Sequence, residues 1–222
     1  MTGRAVLAET LGTALLVATV VGSGIMAAGL ANGNLAVALL GNTLATAAIL
    51  YVLITVLGPV SGAHFNPAVS LMFWLRGDLR LGQMVVYTLC QFAGGLIGMA
   101  LAHSMFDQPL VQVSSVIRQG LHLSFSEWVA SFGLGLTILG GLRYRPEAVA
   151  MLVGMYIAAG YWFTASTGFA NPAVTLARSF SDSFSGIRLA DVPFFMLAQY
   201  AGLLVALGVG RYLFSADSSA QD

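Results

Sequence analysis

The chain has 222 residues, 58% hydrophobic and 8% charged, with a formal net charge of zero and a mean hydropathy of +0.85. Soluble globular domains carry about 25% charged residues, so this composition excludes a soluble protein and describes one that crosses the bilayer repeatedly. Zero net charge without a basic cluster argues against nucleic acid as a partner, and the lone Cys90 excludes an intrachain disulfide or a cysteine-rich metal site.

A spanning helix needs roughly 20 mostly apolar residues. The first predicted span is 5–28; Arg4 flanks it, but the run is long enough to cross and lacks a clear cleavage site, so it reads as a retained helix rather than a signal peptide. The second is 35–57, and after it comes a short apolar piece, 67–76, that follows Asn66. The third span is 81–105, the fourth 127–142 and the fifth 147–165. A second short piece, 172–181, follows Asn171, and the sixth span is 191–214. The polar tail 215–222 is expected to be disordered.

The short pieces hold ten residues each, so each rises about 15 Å as a helix against a hydrocarbon core about 30 Å thick. Two such pieces entering from opposite sides meet at the midplane. The order is two spans, a half-helix and a third span, repeated once. Three spans per repeat is an odd number, so the second copy must sit upside down. Repeat one covers about 5–105 and repeat two about 126–214, together a single membrane domain. Gln91-Phe92-Ala93-Gly94 matches Gln199-Tyr200-Ala201-Gly202, and Glu9 and Glu127 each lie near the start of a repeat's first helix.

Residues 61–71 (SGAHFNPAVSL) and 166–176 (STGFANPAVTL) share six of eleven positions, including Asn66-Pro67-Ala68 and Asn171-Pro172-Ala173. Asn caps free backbone N–H groups and Pro suits the first helical position, so both triplets start helices. One such triplet alone is an ordinary capped turn; two in matched, inverted settings describe broken helices meeting across a pore. Irregular backbone at membrane depth is tolerated only when buried in protein or lining a wet cavity. Gly62, Ala63, His64 and Phe65, with Gly168, Phe169 and Ala170, are therefore expected to be non-helical and to offer carbonyls to a solute moving in file. The amides of Asn66 and Asn171 are expected to donate into the lumen, and the positive helix ends behind them to discourage cations.

These residues resemble the aquaporin family (major intrinsic proteins), and the resemblance covers nearly the whole chain. Ala8-Glu9-Thr10-Leu11-Gly12-Thr13 is similar to the family's first-helix signature and residues 61–69 to its first loop. The resemblance implies an all-α membrane fold, a right-handed bundle of six tilted helices and two re-entrant half-helices with an inverted repeat. It also implies a homotetramer and passive conduction of water or small uncharged solutes, with no cofactor, catalytic residue or metal. It gives Glu9 and Glu127 a supporting role beneath the half-helix loops; a proton relay is the alternative. His64 is expected to line the inner vestibule, while His103 and His122, at the edges of a polar connection, are expected to be solvated.

Most family members carry Arg directly after the second triplet; here that position is Val174. Arg178, one turn later, is placed too far along the half-helix to substitute simply. Counting offsets from the motifs gives Thr46, Ala159, Gly168 and Val174 as the outer filter, with Phe169 a further candidate if the loop shifts by one residue. The expected filter is wide, nearly neutral and weakly polar. It suits solutes larger than water, such as glycerol-like polyols and, by resemblance, undissociated metalloid acids such as arsenous acid. The alternatives are a strictly water-selective pore and a coupled secondary transporter, which needs ionisable groups at the midplane. An intramembrane enzyme is a poorer fit, because His64 has no nucleophile and base partnership in reach. With the N-terminus inside, six arginines (4, 76, 80, 143, 145, 211) lie in the cytoplasm and three (118, 178, 188) outside, so both termini are expected to be cytoplasmic and the site the inner (plasma) membrane.

Overall fold

The computed structural model describes residues 2–215; apart from Ser215, the tail lies outside the described residues. Among the described residues eight α-helices follow in order: α1 Gly3–Leu30, α2 Leu35–Ser61, α3 Pro67–Arg76, α4 Leu81–Met105, α5 Leu121–Tyr144, α6 Val149–Phe163, α7 Pro172–Arg178 and α8 Val192–Leu213. Their starts are chemically marked. Thr2 accepts from the Ala5 N–H at 3.3 Å, and Asn34 from Ala36 and Val37 at 3.1 and 3.2 Å. Gly62 and Gly77 end α2 and α3 with φ of +89° and +95°, the left-handed closure that glycine permits at least cost.

Several ends differ from the sequence reading. Helix α5 begins at Leu121 rather than at residue 127. Leu121 and Phe125 are 90% and 65% exposed, so the first turns present an apolar face that the intervening His122, Ser124 and Ser126 hide in the sequence. Helix α6 has 15 residues and stops at Phe163, because Thr164 is extended and opens the second loop. It rises about 22 Å, and a 3₁₀ turn over Pro146–Ala148 adds about 6 Å, which together approach the membrane thickness. Helix α7 stops at Arg178, three residues short of the expected end at 181. There the Ser179 hydroxyl donates to the Leu176 carbonyl at 2.7 Å, the local competition that serine offers a helix.

The topology is an inverted repeat. Helix α1 packs on α4 and α2, α5 on α8 and α6, and α2 meets α6 between the halves. The half-helices α3 and α7 touch at the centre, and α3 also packs on α8 while α7 packs on α4 and α1. Because α7 is short, the far half of the pore is completed by two connections lying side by side. Gln112 N–H donates to Phe180 O (3.1 Å), Ser114 N–H to Ser179 O (3.0 Å) and Arg188 N–H to Val116 O (2.7 Å). His103 takes part in this closure and corrects the expectation that it is solvated. It is fully buried in the last turn of α4, with Nδ1 3.0 Å from Leu110 O and Nε2 2.9 Å from the Ser181 hydroxyl. His122 is exposed, as expected.

Large apolar side chains such as Leu44, Met155 and Leu197 face outward, while the helix contacts use small residues. This is the membrane pattern, in which lipid accepts the leucines and close backbone approach holds the helices. A Cβ built on Gly94 of α4 would lie 2.4 Å from Thr10 O of α1, and one on Gly202 of α8 would lie 2.3 Å from Trp128 O of α5. The last residue of each matched Gln-x-Ala-Gly run is thus the crossing point of its own repeat. Overpacking of this kind costs about 1–3 kcal/mol, so Gly94→Val and Gly202→Val should each lower the melting temperature of the detergent-purified protein. Gly82→Ala, with nothing within 4 Å of its Cβ, should leave it unchanged.

Candidate functional site: a pore between two half-helices

The site is built on the two loops that precede α3 and α7. Asn66 and Asn171 have extended backbone, with φ of −152° and −154°, and each caps the helix it starts. Asn66 Oδ1 accepts from Ala68 and Val69 N–H at 3.0 and 3.4 Å; Asn171 Oδ1 accepts from Ala173 and Val174 N–H at 3.0 and 3.3 Å. The amide ends cross over. Asn66 Nδ2 donates to Ala170 O at 2.7 Å, and Asn171 Nδ2 to Phe65 O at 2.8 Å. An amide nitrogen has two N–H donors, so one hydrogen of each Asn ties the loops together and the other remains for a solute.

Phe65 and Ala170, the residues just before each Asn, both sit at φ +48°. A non-glycine residue in that region costs of order 1–3 kcal/mol and persists only where its surroundings impose it. The imposing groups are two buried carboxylates. Glu9 accepts from His64 N–H (2.9 Å), Phe65 N–H (2.7 Å) and the Ser61 hydroxyl (2.7 Å). Glu127 accepts from Phe169 N–H (2.8 Å) and Ala170 N–H (2.9 Å). Each is met by a glutamine that also reaches the adjoining half-helix. Gln91 Nε2 donates to Glu9 (2.7 Å) and Ser70 Oγ (2.9 Å), and Gln199 Nε2 to Glu127 (2.6 Å) and Thr175 Oγ1 (2.8 Å).

A cavity of about 220 Å³ runs through this junction, well above what a single water needs. Its wall pairs an apolar side (Leu50, Ile54, Leu134, Ile138, Val153, Ile157) with a polar one containing His64, Asn66, Asn171 and Arg178 and the loop residues Gly62, Ala63, Phe65, Gly168, Phe169 and Ala170. On the N-terminal side of the Asn pair, His64 Nδ1 lies 3.0 Å from the Ser70 hydroxyl, and its ring packs against Phe73 with centroids 4.5 Å apart.

On the far side, Thr46, Gly168 and Val174 line the cavity, as does Phe169. Ala159 does not: it is exposed, on the outer face of α6. Ile157 and Tyr161, one helical turn apart and on one face, line the cavity instead. Tyr161 brings a ring and a hydroxyl 3.1 Å from Thr46 Oγ1. Arg178, 2% exposed, also enters this wall. The far mouth therefore contains two aromatic rings and a guanidinium, so its wall is not the nearly neutral one expected from motif offsets. Buried glutamines in spans and a tyrosine in an apolar helix were signals open to sequence reasoning; nothing local marked Arg118, which lies over the Phe169 ring at 4.9 Å.

The carboxylate cradle predicts an asymmetric response to small changes. In Glu127→Gln the new amide presents N–H toward a backbone N–H, and leaving a buried donor unmet costs about 1–3 kcal/mol. Purified Glu127→Gln should melt at lower temperature than the parent and carry less solute in liposomes, whereas Glu147→Gln, on the exposed surface, should match the parent in both.

Comparison with known proteins agrees with this architecture. The family profile described as Major intrinsic protein matches residues 1–145. The chain is 57% identical to "Aquaglyceroporin AqpS" of Rhizobium meliloti (strain 1021), over 95% of this chain and 90% of that protein. It is 26% identical to the "Aquaglyceroporin" of Toxoplasma gondii over 71% of this chain and 61% of that one. The X-ray structure of the aquaglyceroporin from Plasmodium falciparum superposes with a TM-score of 0.74 at 20% identity, covering 96% of both chains, and shares the fold. Two capped half-helices meeting through paired asparagines, on an inverted repeat of spanning helices, thus coincide with the sequence relationship, and the chain belongs to the major intrinsic protein family.

Proposed function

We propose that this chain is a passive membrane channel for water and small uncharged solutes, glycerol-like polyols foremost and undissociated metalloid acids such as arsenous acid by the same route. The observation that carries the reading is the cavity itself. It threads between Asn66 and Asn171 with one apolar and one polar side, and no carboxylate lines it among the described residues. A polyol has the same two-sidedness, with carbons for the leucine and valine wall and hydroxyls for the asparagine amides and loop carbonyls. The 57% identity to a protein named an aquaglyceroporin supports the same solute class.

A coupled transporter fits less well. Coupling needs an ionisable or ion-binding group at the midplane and an element that rocks around it. Here the midplane groups are neutral amides, and each is bonded to the opposite loop, which locks the two halves together. In our reading the protein lies in the plasma membrane with both termini in the cytoplasm, supported by six arginines against three. It assembles as a homotetramer, which rests on the family resemblance, each copy holding its own pore.

Stopped-flow swelling of proteoliposomes tests the solute class. The wild type should pass water and glycerol. Val174→Arg, which sets a second guanidinium into the far mouth, should keep part of the water flux and lose roughly tenfold or more of the glycerol flux, about 1.4 kcal/mol of added barrier. Wild-type liposomes that pass water and exclude glycerol would replace this reading with a strictly water-selective pore.

A further inference from the structure

Among the described residues, the cavity wall carries one formally charged side chain, Arg178. It is the last residue of α7, four residues beyond Val174. Side chains on a helix lean back toward its N-terminus and over the preceding turn, so the long arginine stem returns its head toward the level of Val174. The contacts fix that height. The guanidinium carbon lies 3.3 Å from the centroid of the Phe169 ring, and Phe169 is only two residues before Asn171.

The head is held in place without being neutralised. Nε donates to the Ser185 carbonyl, and the Phe169 ring under it rests edge-on against Phe195 with centroids 5.2 Å apart. Arg118 closes the arrangement from the far-side connection. It lies over the same ring and donates from Nε to Gly186 O at 2.7 Å and from Nη1 to Ser166 O at 3.3 Å. Among the described residues neither guanidinium forms a salt bridge, and the Nη groups of Arg178 have no protein acceptor. A charge this deeply buried is costly without a partner; a position on the wall of a membrane cavity is where such a cost has a functional return.

We propose that Arg178, positioned through Phe169 by Arg118, is the residue that sets the selectivity of the far mouth, in place of the arginine absent at position 174. Its two free Nη groups present parallel N–H donors, a fork that suits two neighbouring oxygens on one solute. The favoured ligand is therefore an uncharged solute with adjacent oxygens, a vicinal diol or an oxyacid, over one with a single oxygen such as urea. The same charge keeps cations out. The proposal rests on the channel reading above and deepens it.

The test uses proteoliposomes of the full chain and reads water, glycerol and urea flux together with sodium leak. Arg178→Gln should keep water flux, reduce the glycerol-to-urea ratio by roughly tenfold and raise sodium leak by a similar factor. Arg178→Lys should restore the sodium barrier, since the charge is back, but not the glycerol preference, since the fork is not. A purely structural role for Arg178 predicts that both variants change all fluxes together. That result, or an Arg178→Gln protein with the parental ratio and leak, overturns the proposal. If Arg178→Gln does not fold, Arg178→Lys decides alone: an unchanged glycerol-to-urea ratio overturns the proposal, and a lowered ratio with sodium still excluded supports it. Absence of water and glycerol flux in the wild type would count against the channel reading itself.

Discussion

A backbone that breaks off from helix at the centre of a membrane has polar groups with no water to receive them. In this protein each half of the break satisfies the other. The residue before each asparagine is turned into the left-handed region, its N–H goes to a buried glutamate of its own repeat, and its carbonyl goes to the asparagine of the opposite loop. Removing any member leaves a buried group unmet or releases a strained residue. The two half-helices are thereby tied to each other, and the donors at the passage between them are held in place. That rigidity suits a channel, whose solutes must meet the same geometry at every step, and is unhelpful to a machine that alternates between two shapes.

The rest of the fold serves this junction. Glu9 and Glu127 reach the loops because α1 and α5 run close against α4 and α8, and those crossings are close because glycine stands at the contact. The glutamine three residues before each of these glycines is then carried to the carboxylate and to the half-helix hydroxyl. One four-residue pattern thus supplies both the packing and the polar bracing, and it does so twice, in opposite orientations.

Much of this was legible in the sequence, for identifiable reasons. Asn-Pro ahead of an apolar run suits a helix start, ten apolar residues are too few to cross a bilayer, and a duplicated motif in an odd-numbered repeat must be inverted. The far mouth was not legible, because its composition depends on phases and reaches that motif spacing does not encode. An offset count from the motifs points to Ala159, but α6 turns Ile157 and Tyr161 to the cavity and Ala159 outward. Distance along α7 places the Arg178 Cα beyond the filter, but its side chain leans back over the preceding turn to the cavity wall. Arg118 and the buried His103 owe their places to backbone pairing between two irregular connections, which no local pattern announces.

In this account the midplane provides water-like hydrogen bonding and the far mouth provides discrimination, with both held by contacts between the two repeats. The central claim, that the junction is a rigid and passive pore, is tested most directly by the concentration dependence of glycerol flux in wild-type proteoliposomes, measured with ion gradients imposed and then collapsed by ionophores. A passive pore predicts flux that rises in proportion to the glycerol gradient and is the same in both states. Flux that saturates and falls when the proton or sodium gradient is removed would contradict the account.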